Sequence, residues 1–223
     1  MNMKLDLRLL GGLLILVGIF QLLPVGVAVV FGETAGPYVA AACFTLLAGM
    51  ILAFSMQPED NQIRPRDGFF VVGCAWLLCS IFGALPYVLA GSLGPVDAFF
   101  EAASGFTTTG STVLTHIEAE PRTLLFWRAF TQWLGGMGII VFSIAILPLL
   151  GIGGMQLFRA EISGPMSDKV RPRVAATARR LWYIYVGLTT LETLLLRFAG
   201  LDWFEAVCHA FTTMATGGFS TRD

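Results

Sequence analysis

The chain has 223 residues, 56% of them hydrophobic and 13% charged, with a net charge of −1. Soluble domains carry about a quarter charged residues, so a soluble globular fold is excluded. A near-neutral balance without a basic, aromatic-interleaved face also excludes a nucleic-acid-binding surface.

The charges gather between long uncharged stretches, the pattern of an all-α integral membrane protein. Lys4 and Arg8 precede an apolar run from Leu9 to Phe31. A signal-peptide core has only about 7–15 apolar residues, so this run is expected to be a retained first membrane helix. A second follows over 36–56, and residues 1–60 form a two-helix N-terminal membrane unit. Three more membrane-length segments are predicted at roughly 69–90, 123–150 and 181–200. Cys43, Cys74, Cys79 and Cys208 all lie in apolar surroundings, and Cys74 and Cys79 are not spaced C-x-x-C. They are expected to be buried free thiols, not metal or redox ligands.

Between the third and fourth segments lies Asp97-Ala-Phe-Phe-Glu-Ala-Ala-Ser-Gly-Phe-Thr-Thr-Thr-Gly110-Ser-Thr. After the fifth comes Asp202-Trp-Phe-Glu-Ala-Val-Cys-His-Ala-Phe-Thr-Thr-Met-Ala-Thr-Gly-Gly218-Phe-Ser-Thr. Each is a short apolar helix running into an uncharged Thr/Gly stretch. As a helix, 97–106 is about 15 Å long, half of a hydrocarbon core. It can enter a membrane and return only where protein or water covers its backbone. Pro95 suits the first helical turn and Asp97 the positive end of the helix dipole, so the negative end is aimed at Thr107, Thr108, Thr109 and Gly110. Uncharged carbonyl and hydroxyl oxygens can replace the water shell of a small cation and still let it leave. Aligned on the glycines, Gly110 falls on Gly218, Thr107 on Ala215, Thr108 on Thr216 and Glu101 on His209. Glu101 is expected either to bond backbone behind the Thr-Gly segment or to concentrate cations at its mouth, with His209 in the equivalent role.

Residues 61–150 therefore read as one span–loop–span repeat, and 181–223 as the start of a second that lacks its closing span. Gly135, Gly136 and Gly138 are expected to permit close helix packing, and Pro148 to kink or end the fourth helix. Glu192 and Arg197, in or near the fifth segment, are read as structural. Arg64, Arg66 and six basic residues of 151–180 join Lys4 and Arg8 on one side if the segments cross alternately: ten of the fourteen basic residues. The positive-inside rule puts that side in the cytoplasm, so both Thr-Gly elements open outward. The 151–180 stretch is expected to be a basic loop in contact with lipid headgroups.

Phe106-Thr-Thr-Thr-Gly-Ser-Thr112, Gln132-Trp-Leu-Gly-Gly-Met-Gly-Ile-Ile140 and Met214-Ala-Thr-Gly-Gly-Phe-Ser-Thr221 together resemble the TrkH/KtrB/HKT superfamily of potassium transport proteins. The resemblance runs over the whole chain. It implies that four span–loop–span units surround one pore. Thr107, Thr108, Thr109 and Gly110 match the first selectivity-filter segment, and Ala215, Thr216, Gly217 and Gly218 the second. The transported potassium would lie at Thr108, Thr109, Thr216 and Gly217, with no cofactor. It also implies a bacterial inner membrane, a homodimer, and a cytosolic nucleotide-binding regulatory subunit of the TrkA kind. The third and fourth filter segments have no counterpart here, so the chain reads as the N-terminal half of such a protein, needing the remaining repeats or other chains to conduct. The competing expectation is an ion-coupled secondary transporter with broken helices at a midplane site. An enzyme ranks last, for want of paired carboxylates, a nucleophile–base set or a metal cluster.

Overall fold

The structure, a computed structural model, describes residues 2–55, 58, 65–146 and 167–223. Among these residues there are helices and connecting segments but no strands. Helix α1 spans Met3–Phe20, α2 Leu23–Phe31, α3 Gly36–Ser55, α4 Pro65–Gly83 and α5 Leu85–Leu89. They are followed by α6 over Pro95–Phe106, α7 over Arg122–Ile146, α8 over Ser167–Phe198 and α9 over Trp203–Met214. Met3–Phe31, Gly36–Ser55 and Arg66–Leu89 are long and apolar enough to cross a membrane.

Two expected continuous segments are interrupted, each at a proline. Pro24 sits in the first turn of α2 and Pro86 in the first turn of α5. Proline lacks the N–H that would reach back four residues, so Pro86 leaves the Phe82 carbonyl without its helical donor. Gln21, fully buried at the α1–α2 break, supplies one: its Nε2 donates to the Phe82 carbonyl at 2.9 Å. The neighbouring Gly83 carbonyl accepts from Trp127 Nε1 at 3.0 Å. The two helix breaks and α7 are thus joined by hydrogen bonds that satisfy buried backbone groups.

Helix α1 packs along α3 where both backbones are bare. A methyl on Gly49 would come within 2.7 Å of the Ile15 nitrogen and 2.9 Å of the Gly11 carbonyl. Small residues let membrane helices approach this closely. Helix α7 is the centre of the fold. Its Trp127, Phe130 and Trp133 are buried, and the Phe211 ring of α9 packs tilted against them, 5.6 Å from Phe130 and 5.4 Å from Trp133. Phe106, the last residue of α6, meets Trp127 edge-on at 6.4 Å. Trp133 Nε1 donates to Thr189 Oγ1 at 3.0 Å, attaching α8 to the same helix.

The expectation of a loop over 151–180 is corrected for its second half: residues 167–180 are helical and continuous with α8. The run Ala175-Ala-Thr-Ala-Arg-Arg180 is rich in good helix formers, and its charge does not end the helix. Residues 151–166 and Pro148 lie outside the described residues.

The start of α7 is capped from a distance. Glu33, between α2 and α3, accepts from the Arg122 and Thr123 backbone nitrogens, each at 2.9 Å. Burial alone would push this carboxyl up, but the Thr123 and Arg122 hydrogen bonds and the Arg122 charge outweigh it and hold the group below its ordinary value of 4.5. A depressed carboxylate contributes stability that is complete above 4.5 and is lost as pH falls through the lower folded-state value. Glu33→Gln is therefore expected to cost about 1 kcal/mol at neutral pH and to flatten the acid limb of a thermal-unfolding profile. An unchanged acid limb would assign that limb to other carboxylates.

Candidate functional site

The sequence repeat is a repeat in three dimensions. Thr107, at the end of α6, donates to the Ala103 carbonyl at 2.9 Å, Thr108 N to Gly105 O at 2.9 Å and Thr109 N to Ser104 O at 2.9 Å. At the end of α9 the same three bonds recur: Ala215 N to Phe211 O at 3.3 Å, Thr216 N to Thr213 O at 2.8 Å and Gly217 N to Thr212 O at 2.8 Å. This is the Schellman closure of a helix, in which a residue in the left-handed region turns its own amide and the following one back onto the last turn. Glycine normally fills that position. Here it is Thr108 and Thr216, both at φ 55°. A β-branched residue at positive φ is an outlier and costs about 1–3 kcal/mol. Two such residues at equivalent places mark both turns as functional candidates, since strain of this kind persists only where the surroundings enforce it. Gly110 and Gly218, two residues further on, have φ values of 79° and 84°.

The two Thr-Gly segments touch. A methyl on Gly110 would run into the Gly217 carbonyl oxygen, so the backbones of the two segments are in direct approach there. Thr107, Thr109, Thr216 and Gly218 are exposed, Thr108 and Gly110 half-buried, and Ala215 and Gly217 buried. Thr107 Oγ1 lies 2.8 Å from Thr109 Oγ1. A cavity of about 220 Å³ opens beside Thr107 and Thr108, bounded also by Trp76, Phe106, Gly135 and Ile139.

Helix α7 stands behind both segments. Arg128 and Gln132, one turn apart, are 2% and 0% exposed. Arg128 Nε donates to Glu101 Oε1 at 2.6 Å, Nη1 donates to the Ser220 carbonyl at 2.7 Å, and the guanidinium lies 3.7 Å over the Phe219 ring. Glu101, itself 0% exposed, also accepts from Val113 N at 3.0 Å and from Thr112 Oγ1 at 2.9 Å. Gln132 Oε1 accepts from Phe219 N at 3.1 Å. Its amide lies against Gly217, where any added side chain would strike it.

Of the two roles expected for Glu101, the geometry matches the first: it bonds backbone behind its Thr-Gly segment and is not at a mouth. His209 has a parallel contact, with Nε2 at 3.1 Å from Thr221 Oγ1. Both pairs span twelve residues. Gly135 and Gly136 are packing glycines, as expected: a methyl on Gly135 would strike the Phe106 carbonyl, and one on Gly136 would come within 2.8 Å of the Tyr185 hydroxyl. Gly138 has only Trp76 nearby, at 3.6 Å. Arg197 is exposed, donates to the Leu201 carbonyl at 3.3 Å and lies 5.6 Å over Trp203. Arg128 and Gln132 were not singled out from the sequence. The available signal was Arg128 itself, an ionisable residue inside an apolar segment of membrane length.

Three comparisons bear on this arrangement. The profile of the TrkH family, described as a cation transport protein, matches residues 37–223. The Trk system potassium uptake protein TrkH of Escherichia coli K12 is 45% identical over 227 residues, an alignment covering 100% of this chain and 47% of the relative. Its namesake from Halomonas elongata is 43% identical with the same coverage. The crystal structure of the potassium transporter TrkH from Vibrio parahaemolyticus superposes with a TM-score of 0.88 at 39% identity, covering 100% of this chain and 45% of that one. The chain thus spans about half the length of the relatives it matches.

Proposed function

The chain belongs to the TrkH cation transport family, and from that premise we propose that it forms half of a potassium-uptake pore whose filter includes Thr107–Gly110 and Ala215–Gly218. It is a multi-pass membrane protein. The observation that carries the reading is the pair of strained closures at Thr108 and Thr216, each at the end of a half-length helix and each followed by a positive-φ glycine. Such turns present uncharged oxygens at the negative ends of two helix dipoles, an arrangement that favours a cation without binding it too tightly to release. Potassium held by Thr108, Thr109, Thr216 and Gly217 would move down its electrochemical gradient, driven by about 2.3 kcal/mol per charge per 100 mV. The names of the relatives, potassium uptake proteins of a Trk system, agree with this cargo.

The proposed setting is the bacterial inner membrane, with the N-terminus and the basic side in the cytoplasm, where the positive-inside rule places them. The remaining repeats of the complete protein would close the ring, a second copy would make a dimer, and a TrkA-type subunit would meet the basic face.

The test is flux. The complete protein in liposomes is expected to carry potassium in preference to sodium under a potassium gradient alone. Flux that needs an imposed proton or sodium gradient would instead favour the coupled-transporter reading, for which no residue pair in the described structure argues.

A further inference from the structure

Resting on the filter assignment just proposed, we infer that Arg128 is a selectivity-determining positioning residue: a buried strut of α7 that fixes the spacing between the first and second Thr-Gly segments without touching the ion.

The guanidinium joins two parts of the chain. On one side is Glu101 of α6, at 2.6 Å; on the other is the Ser220 carbonyl, 92 residues further along the chain and at 2.7 Å. Glu101 passes the restraint to the first segment through Val113 N, at 3.0 Å. Ser220 and Phe219 belong to the stretch that leaves the second segment, and Phe219 is held twice more, by its ring under the guanidinium at 3.7 Å and by its amide on Gln132 at 3.1 Å. One side chain thus bonds both repeats, and the next turn of the same helix bonds the second again. Between these anchors the backbones of Gly110 and Gly217 meet.

Only arginine has the shape for this. Its planar fork places Nε and Nη1 at separate points, one on each acceptor, whereas the three donors of a lysine ammonium radiate from a single nitrogen that cannot occupy both places. A purely electrostatic role, neutralising Glu101, would be met by either residue. A spanning role would not. The second repeat has no equivalent acid: His209 stands where Glu101 stands, and its contact is with Thr221. The restraint is therefore one-sided, and the spacing of these two segments depends on a single cation.

The experiment uses the complete protein in liposomes and reads the potassium-to-sodium flux ratio for wild type, Arg128→Lys, Glu101→Gln, Gly110→Ser and Gly49→Ile. The last wedges α1 from α3, away from the Thr-Gly segments, and controls for destabilisation alone. Arg128→Lys, which keeps the charge, is expected to carry potassium but to lose about tenfold in the ratio, the factor that 1.4 kcal/mol represents. Glu101→Gln is expected to shift it the same way, and Gly49→Ile to leave it at the wild-type value. Wild-type ratios in Arg128→Lys and Glu101→Gln, with Gly110→Ser relaxed, would overturn the strut and leave the filter assignment standing. A wild-type ratio in Gly110→Ser would instead remove the filter assignment. If Arg128→Lys fails to assemble, Glu101→Gln decides by the same criterion. An equal shift in Gly49→Ile would reduce Arg128 to a general stabilising role and also overturn the inference.

Discussion

Gly110→Ser in the complete protein is expected to lower potassium-over-sodium discrimination by about tenfold or more, and two independent facts set that expectation. The first is conformational. Gly110 has φ 79°, where a residue with a Cβ pays about 1–2 kcal/mol. The second is steric. The new Cβ would fall on the Gly217 carbonyl oxygen, which is backbone and cannot swing aside as a side chain can. Gly217 is itself backed by the buried Gln132 amide, so the strain has no soft outlet on that side. The two segments must move apart, and a difference of only 1.4 kcal/mol between ions is already tenfold in selectivity. The matched control is Gly12→Ser, at a helical glycine with nothing within 4 Å, which is expected to leave flux and ratio alone. Paired isotope-flux measurements in liposomes check both. Equal ratios in the two variants would place Gly110 away from the ion path.

Arg128→Met is expected to be the most damaging single change to folding. It leaves the Glu101 carboxylate, 0% exposed, without its cation. Breaking one side of a buried pair typically costs about 3–5 kcal/mol, because the remaining charge stays desolvated. The Thr112 and Val113 hydrogen bonds to Glu101 soften this without supplying a countercharge. The double variant Arg128→Met/Glu101→Gln is expected to recover part of the loss, since it removes the orphaned charge while keeping an oxygen for Val113 N. Thermal unfolding of the detergent-solubilised protein reads both. A double variant no more stable than the single one would mean that the lost tie to Ser220 and Phe219, and not the stranded charge, sets the cost.

The helix ends were largely legible because their causes are local. Gly94 and Pro95 start α6, and Asp202 starts α9 by accepting from Glu205 N at 2.7 Å. These signals act within one turn of the chain, as N-caps do. The same locality exposed the duplicated Thr-Gly stretch, since two copies of one local conformation need similar residues. The breaks at Pro24 and Pro86 were legible in principle, but hydropathy averages over them and returns one long segment where the structure has two helices. The start of α8 was missed for the converse reason: charge in 167–180 reads as loop, although the backbone there is helical.

The sequence by itself determined the membrane class, the repeat and the residues of the two Thr-Gly segments, because hydropathy, caps and turn chemistry are short-range properties written in consecutive residues. Only the tertiary structure decided that Arg128 bonds both Glu101 and Ser220, that Gln132 holds Phe219, and that Gly110 meets Gly217. Those partners lie from 27 to 107 residues apart. Which of them meet depends on how α6, α7 and α9 pack, a property of the whole fold that no stretch of chain carries alone.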